Sequence, residues 1–224
     1  LGLEAAARAV RYGVFSRLAG DLLLLGHHQG DQAETLLFNL LRGTGVAGAA
    51  AIPVDRLQGR MRILRPLLDV ARREIETYAR DCRLVWIDDE SNTDTLHARN
   101  FLRHDVLTAL AGRFPAAEKN LAQATAHFAE ADILLGELAR LDWAAAADGD
   151  VLKLSSLREV SLPRLKNLLR YRLRQLGWQA PAAVRLDEFA RQLQTAGTDR
   201  HPALDLAEGS MIAGRGRLCW VARE

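Results

Sequence analysis

The chain has 224 residues, 49% of them hydrophobic, and a formal net charge of +2 at pH 7. That is enough sequence to bury a core in one large domain or two small ones, and the charge is too balanced to mark a nucleic-acid binder by itself. No run of about 18 apolar residues offers a membrane span, no basic–apolar–small pattern marks a secretory signal, and Cys82 and Cys219, without a CxxC neighbour, form no disulfide or zinc motif and fit a reducing cytosol.

Residue 1 is Leu, which suggests a piece of a longer protein. From Glu4 to Leu18 the spacing of Ala7, Val10, Val14 and Leu18 predicts a helix with Arg8 and Arg11 off its apolar face. Leu22 to Leu25, after Gly20-Asp21, reads as a buried and parallel strand. A second helix is expected from about Asp31 to Arg42, closed by Gly43, Gly45 and Gly48. Residues Arg62 to Leu64 suggest a short strand, Val70 to Cys82 a helix and Leu84 to Ile87 another strand. This alternation predicts an α/β sheet with too few strands to be a complete one. From Arg99 the character changes. Ala98–Arg113 and Ala116–Ala147 are long Ala/Leu-rich helical stretches, and Leu162–Leu176 and Ala183–Gln194 follow the same period. The tail alternates in short runs, Ala203 to Leu206, Ser210 to Ile212 and Arg217 to Val221, joined by glycine turns. The expected division is 1–113, α/β, and 114–224, mostly helical with a few short strands. Trp143, Trp178 and Trp220 read as packing residues of the second part.

The densest chemistry lies at the end of the first strand. His27 and His28 precede a helix that opens with Asp31 and Glu34. Asp-x-x-Glu is a capping box and needs no chemistry. Yet Asp31, Glu34 and Thr35 share a helix face beside two imidazoles at the carboxyl end of a strand, where open α/β sheets bind ligands. Such a set can orient an amine, accept its proton, or hold a magnesium ion through Asp31 or Glu34.

These residues carry a resemblance. His27-His28-x-x-Asp31-Gln32-Ala33-Glu34-Thr35, followed by Leu41-Arg42-Gly43-Thr44-Gly45, resembles a signature of the tRNA(Ile)-lysidine synthetases, members of the PP-loop, adenine-nucleotide α-hydrolase-like group. Four more stretches fit in order: Glu4-Ala5-Ala6-Ala7-Arg8-x-x-Arg11-Tyr12, Leu64-Arg65-Pro66-Leu67-Leu68, Trp86-Ile87-x-Asp89-x-Ser91-Asn92 and Arg99-Asn100-Phe101-Leu102-Arg103. The helical half resembles the family's substrate-binding domain in pattern only. Two features depart from the family. Gly30 stands where an acid is common, and the Ser-Gly-Gly-x-Asp-Ser loop that holds ATP phosphates is absent from these residues.

The resemblance implies a truncated parallel PP-loop sheet and an ATP-dependent, carbon–nitrogen bond-forming, tRNA-modifying ligase of the cytoplasm, without a membrane. Its chemistry would adenylate the C2 oxygen of the wobble cytidine in CAU-anticodon tRNA(Ile) and then admit the ε-amine of L-lysine. Asp31, Glu34 and His27 become the catalytic candidates. His28, Arg42, Gly43 and Gly45 become the nucleotide side, with ATP and magnesium as cofactors. The chain alone is expected to be inactive, and a homodimer stays open. Arg99 and Arg103, i and i+4 with Asn100 between them, suit anticodon-loop contacts, or an intramolecularly paired face. Lys166, Arg170 and Arg174 make one basic stripe suited to tRNA phosphates, or simply the wet side of a helix. Two other functions fit the residues: a metal-dependent hydrolase using His27, His28, Asp31 and Glu34, and a non-catalytic tRNA-docking fragment.

Overall fold

A computed structural model describes residues 10–15, 17, 20–87, 98–195 and 200–223. Residues 10–15 are helical; Glu4 to Arg8 and the motif residues Asp89, Ser91 and Asn92 lie outside the described residues. The chain divides into two compact units, Leu1–Asp132 and Ile133–Glu224. The turn at Phe114-Pro115, where sequence character changes, lies within the first.

In the first unit, β1 (Leu22–Leu24), β2 (Asp55–Gln58) and β3 (Met61–Leu64) form a sheet in the order β1-β3-β2. β1 runs parallel to β3, as expected, with Leu23 opposite Ile63, but Leu22 and Leu24 are 53% and 60% exposed, so among the described residues the strand is not buried as its apolar run predicts. β2 and β3 are antiparallel, which makes the sheet mixed. The polar residues of β2 give no strand signal; its partner and a two-residue turn with Gly59 at φ +60° create it. Met61 and Ile63 are buried while Arg62 faces out, the period of a strand covered on one side. The strand expected at Leu84–Ile87 is absent. Val85 and Ile87 are 97% and 94% exposed, because an extended segment becomes a strand only when a neighbour takes up its N–H and C=O groups, and none does so among the described residues.

Helix α1 (Gln29–Leu41) follows β1, and a short α2 (Val46–Ala49) follows the glycine turn. α3 (Arg72–Asp81) is an exposed helix whose N-terminus is tied by the Ala71 N–H donating to Glu74. The helix expected over 98–113 is interrupted. α4 (Ala98–Phe101) passes into a π-helical turn, Leu102–Val106, before α5 (Leu107–Arg113). There the Leu107 N–H donates to the Leu102 carbonyl, an i→i+5 bond. α6 (Ala117–Ala146) is the long Ala-rich helix.

The second unit has a five-stranded antiparallel sheet in the order β4-β5-β8-β7-β6, made of β4 (Ala147–Asp148), β5 (Val151–Lys153), β6 (Ala203–Asp205), β7 (Gly209–Gly214) and β8 (Arg217–Ala222). Gly149-Asp150, which looks like a helix break in sequence, is a hairpin turn. α7 (Leu154–Glu159), α8 (Leu162–Leu176) and α9 (Ala183–Thr195) complete the unit. α8 begins with Pro163 in its first turn and ends at Gly177 with φ +73°, a left-handed cap. Its Leu165, Leu168, Leu169 and Leu173 fall on one face and join Leu152, Leu186, Phe189, Met211 and Leu218 in the core. Trp143, Trp178 and Trp220 pack against that core, as expected. The Arg172 guanidinium lies 4.5 Å from the Trp143 ring centre and 5.8 Å from that of Trp220. Among the described residues no helix is long and apolar enough to cross a membrane, and both cysteines are free.

Candidate active site

The polypeptide leaves β1 and enters α1 through His27 and His28. His28 is the N-cap. Its Nδ1 accepts a hydrogen bond from the Gly30 N–H at 3.1 Å, and its own N–H donates to Asp31 Oδ2 at 2.9 Å. The capping box is therefore His28 with Asp31, one turn earlier than the Asp31–Glu34 box expected from spacing. The physical reason is that His28 offers a ring nitrogen acceptor while still in extended conformation. Asp31 stabilises the helix start, and Glu34 is released from capping.

Glu34 is 2% exposed, and a buried carboxylate needs partners. Arg103 supplies them. Its Nε donates to Glu34 Oε1 at 2.6 Å and its Nη2 to Oε2 at 3.1 Å, a bidentate fork; Nη2 also reaches Asp31 Oδ1 at 3.5 Å. One turn earlier, Arg99 Nη2 donates to Thr35 Oγ1 at 2.8 Å. Burial works against the charge on Arg103, but its hydrogen bond to Glu34 and the charges of Glu34, Asp31 and Glu118 outweigh it and hold its pKa above the ordinary value. The shared face of Asp31, Glu34 and Thr35 is thus real, and Arg99 and Arg103 cover it. The intramolecularly paired alternative describes how these two arginines stand here. Asn100 lies half-buried between them.

At the other end of α1, Arg42 is the C-cap, and Gly43 takes φ +75° so that its N–H can reach the Leu40 carbonyl. The Arg42 guanidinium lies 5.1 Å from the Phe38 ring centre. Gly45 caps α2, and Asn39 Nδ2 donates to the Gly48 carbonyl at 2.8 Å, which holds the glycine turn against α1. The nucleotide-side candidates therefore fall into two groups, His28 at the start of the helix and Arg42, Gly43 and Gly45 after its end.

Two further readings meet the geometry. Both oxygens of Glu34 are taken by Arg103, so Asp31 and Glu34 as arranged do not fit magnesium. Among the described residues no cluster of three or more His, Cys, Asp or Glu has the arrangement of a metal site, which leaves the hydrolase reading without its constellation. In the second unit, Lys166 Nζ lies 2.9 Å from Asp187 Oδ1. Arg170 faces the same carboxylate, so the basic stripe with exposed Arg174 is partly neutralised by α9.

Three side chains escape a sequence reading. Gln32 is buried and pairs both ways with the backbone of Ile52, at 2.8 and 2.9 Å, fixing α1 to the segment before β2. Arg65, in Leu64-Arg65-Pro66, is fully buried, with bonds to the Pro53 carbonyl and the Tyr12 hydroxyl. Glu118, near the start of α6, brings Oε1 to 3.3 Å from the point where a Cβ on Gly30 would stand. A carboxylate therefore does occupy the neighbourhood that Gly30 leaves without one; the glycine itself is the only sequence hint. Beside it a cavity of about 610 Å³ opens, lined by Gln29, Asp69, Arg72, Glu74, Glu118 and Lys119 among others.

Comparison with known proteins matches the chain in two segments. Residues 1–110 match a PP-loop domain family and residues 152–219 match the TilS substrate binding domain. A tRNA(Ile)-lysidine synthase of Aromatoleum aromaticum is 53% identical over 195 residues, 86% of this chain and 45% of that protein. Those of Nitrosomonas europaea and Pseudomonas fluorescens are 45% and 41% identical, over 89% and 99% of this chain and 44% and 52% of their own. The chain spans about half the length of the curated relatives it matches. Two family matches in the order expected and relatives aligned over most of its residues place the chain in the tRNA(Ile)-lysidine synthase family of PP-loop proteins.

Proposed function

We propose that this chain forms part of a tRNA(Ile)-lysidine synthase, with 1–113 contributing to the catalytic domain and 114–224 to substrate binding. The enzyme would spend ATP to adenylate the C2 oxygen of the wobble cytidine of CAU-anticodon tRNA(Ile) in the cytoplasm, the α–β phosphoanhydride bond breaking as pyrophosphate leaves. The ε-amine of L-lysine would then attack C2, with AMP leaving. That amine has an ordinary pKa near 10.4 and must lose a proton to react. The observation that carries the reading is the carboxylate face of α1: Asp31 and Glu34 side by side at a strand end, holding a cation. Here the cation is the Arg103 guanidinium, and a lysine ammonium has the charge and donors to engage the same oxygens. Arg99 and Arg103 are thereby assigned to positioning this face. Arg42, Gly43 and Gly45 are assigned to the nucleotide, and His27 stands by at the strand end.

Lysine incorporation into a CAU transcript, by the enzyme that carries this chain, tests the reading. Asp31→Asn should lower turnover at least about 100-fold, the scale of a positioned acid–base group, while ATP-dependent adenylation of the tRNA persists. The helix cap accounts for only about 1 kcal/mol of stability. Near-normal incorporation by a destabilised variant would reduce Asp31 to a cap. Arg103→Ala should change the lysine KM and leave tRNA affinity unaltered; the reverse pattern would return Arg103 to the RNA contact expected from sequence.

A further inference from the structure

We infer that the second unit carries a nucleotide-sized pocket for a phosphodiester of the RNA substrate, walled by α7, residues 200–202 and the β7–β8 hairpin. The inference rests on the tRNA reading above and adds a site to it. The cavity there is about 430 Å³. Arg158, Arg200, His201 and Arg215 line it, and no carboxylate is among the described residues that do. All four are exposed at its rim, while Leu193 and Ala213, at 1% and 0% exposure, form an apolar floor. Three planar guanidinium forks suit phosphate oxygens, and an apolar floor suits the ribose or base that travels with the phosphate.

The walls are fixed by backbone bonds. The Leu154 N–H donates to the Gly216 carbonyl at 2.9 Å and the Ala213 N–H to the Pro202 carbonyl at 2.8 Å. The hairpin tip bears the second observation. Arg215 and Gly216 both take positive φ, +51° and +76°, as a two-residue turn of this hand requires. Asn, Asp or Gly would hold the Arg215 position with less strain, so an arginine there is a backbone cost accepted for a side chain. Every lining residue lies within the segment that matches the substrate binding domain. Lys166 and Arg170 of α8, outside the pocket, face Asp187.

The test titrates tRNA onto the 224-residue chain over a salt series. The triple variant Arg158→Gln, Arg200→Gln, Arg215→Gln should bind at least about 10-fold more weakly. The slope of log affinity against log salt should flatten by about 2, since each phosphate contact contributes about 0.7 to 0.9. Each single substitution should give about a third of that slope change, which guards against a misfolded triple variant. Arg191→Gln removes an equal charge from an exposed Arg–Glu pair outside the pocket and should change neither. Unaltered affinity and slope in both the triple and single variants would overturn the inference. So would inorganic phosphate saturating the pocket without displacing tRNA, which would mark a small-anion site. If the variants lose tRNA but the enzyme carrying the chain incorporates no lysine, the pocket stands and the lysidine reading falls.

Discussion

A single hydrogen atom at position 30 decides how closely two side chains approach. A methyl group there would sit 3.0 Å from His28 Cε1, 3.2 Å from His28 Nδ1 and 3.3 Å from Glu118 Oε1. In Gly30→Ala, helix propensity favours alanine by about 1 kcal/mol, while tilting the His28 ring weakens a cap of similar worth. The two effects nearly cancel, so the melting temperature should hardly move. Lysine incorporation should still fall about 10- to 100-fold, because a small displacement at a reacting site costs that much. Unchanged turnover would show that the close approach of Glu118 and His28 has no catalytic part. Gly209 is the opposite case. A Cβ there would stand 2.3 Å from the Val221 carbonyl oxygen and 2.4 Å from the Trp178 ring. Backbone across a β-ladder cannot yield as a side chain can. Gly209→Ala should destabilise by about 1–3 kcal/mol, read from denaturant unfolding.

Among the elements, α8 and α9 are joined by the Lys166–Asp187 pair, and its effect has a definite sign with pH. The hydrogen bond from Lys166 holds the Asp187 carboxyl below the ordinary carboxylate range, aided by the charges of Lys166, Arg191 and Arg170 against some desolvation. A lowered native pKa contributes stability above the unfolded value, near 3.9, that disappears as pH falls through the folded value. Asp187→Asn should therefore be less stable than the parent at pH 7, and the difference should shrink and vanish as the pH falls below the unfolded value and through the folded one. A gap that persists in acid would mean that packing, not charge, joins the helices.

Taken whole, the molecule distributes its apolar surface unevenly. The second unit closes sheet and helices around a continuous core. The first leaves Leu22, Leu24, Val85 and Ile87 between 53% and 97% exposed. Amide exchange should follow that contrast, slowest in α8 and the β7–β8 ladder and fast in β1, because opening free energy tracks buried apolar contact. Equal protection of β1 would refute it. The same contrast explains what the sequence could reveal. α1, α6, α8 and α9 were legible because their apolar residues recur at the helical period. The tail strands were legible because they alternate between glycine turns. β2 and β5 were not, since strands of three or four residues are defined by the partner they pair with. The site was half legible. Asp31 and Glu34 announce themselves at a strand end. Their partner Arg103 is 69 residues beyond Glu34, and Glu118 arrives from another helix; no local pattern encodes such meetings. The π-helical turn leaves no compositional trace at all.

That turn, Leu102–Val106, makes chain length a coordinate of the candidate active site. It holds one more residue than an α-helix needs between Arg103, which grips Glu34, and the helices leading to Glu118. Deleting one residue there would let α4 run straight into α5 and reset the turn and rise that separate Arg103 from the helices downstream. Surface loops in a protein family lengthen and shorten freely as lineages diverge. This stretch should tolerate substitutions at its exposed positions and yet resist a change in length.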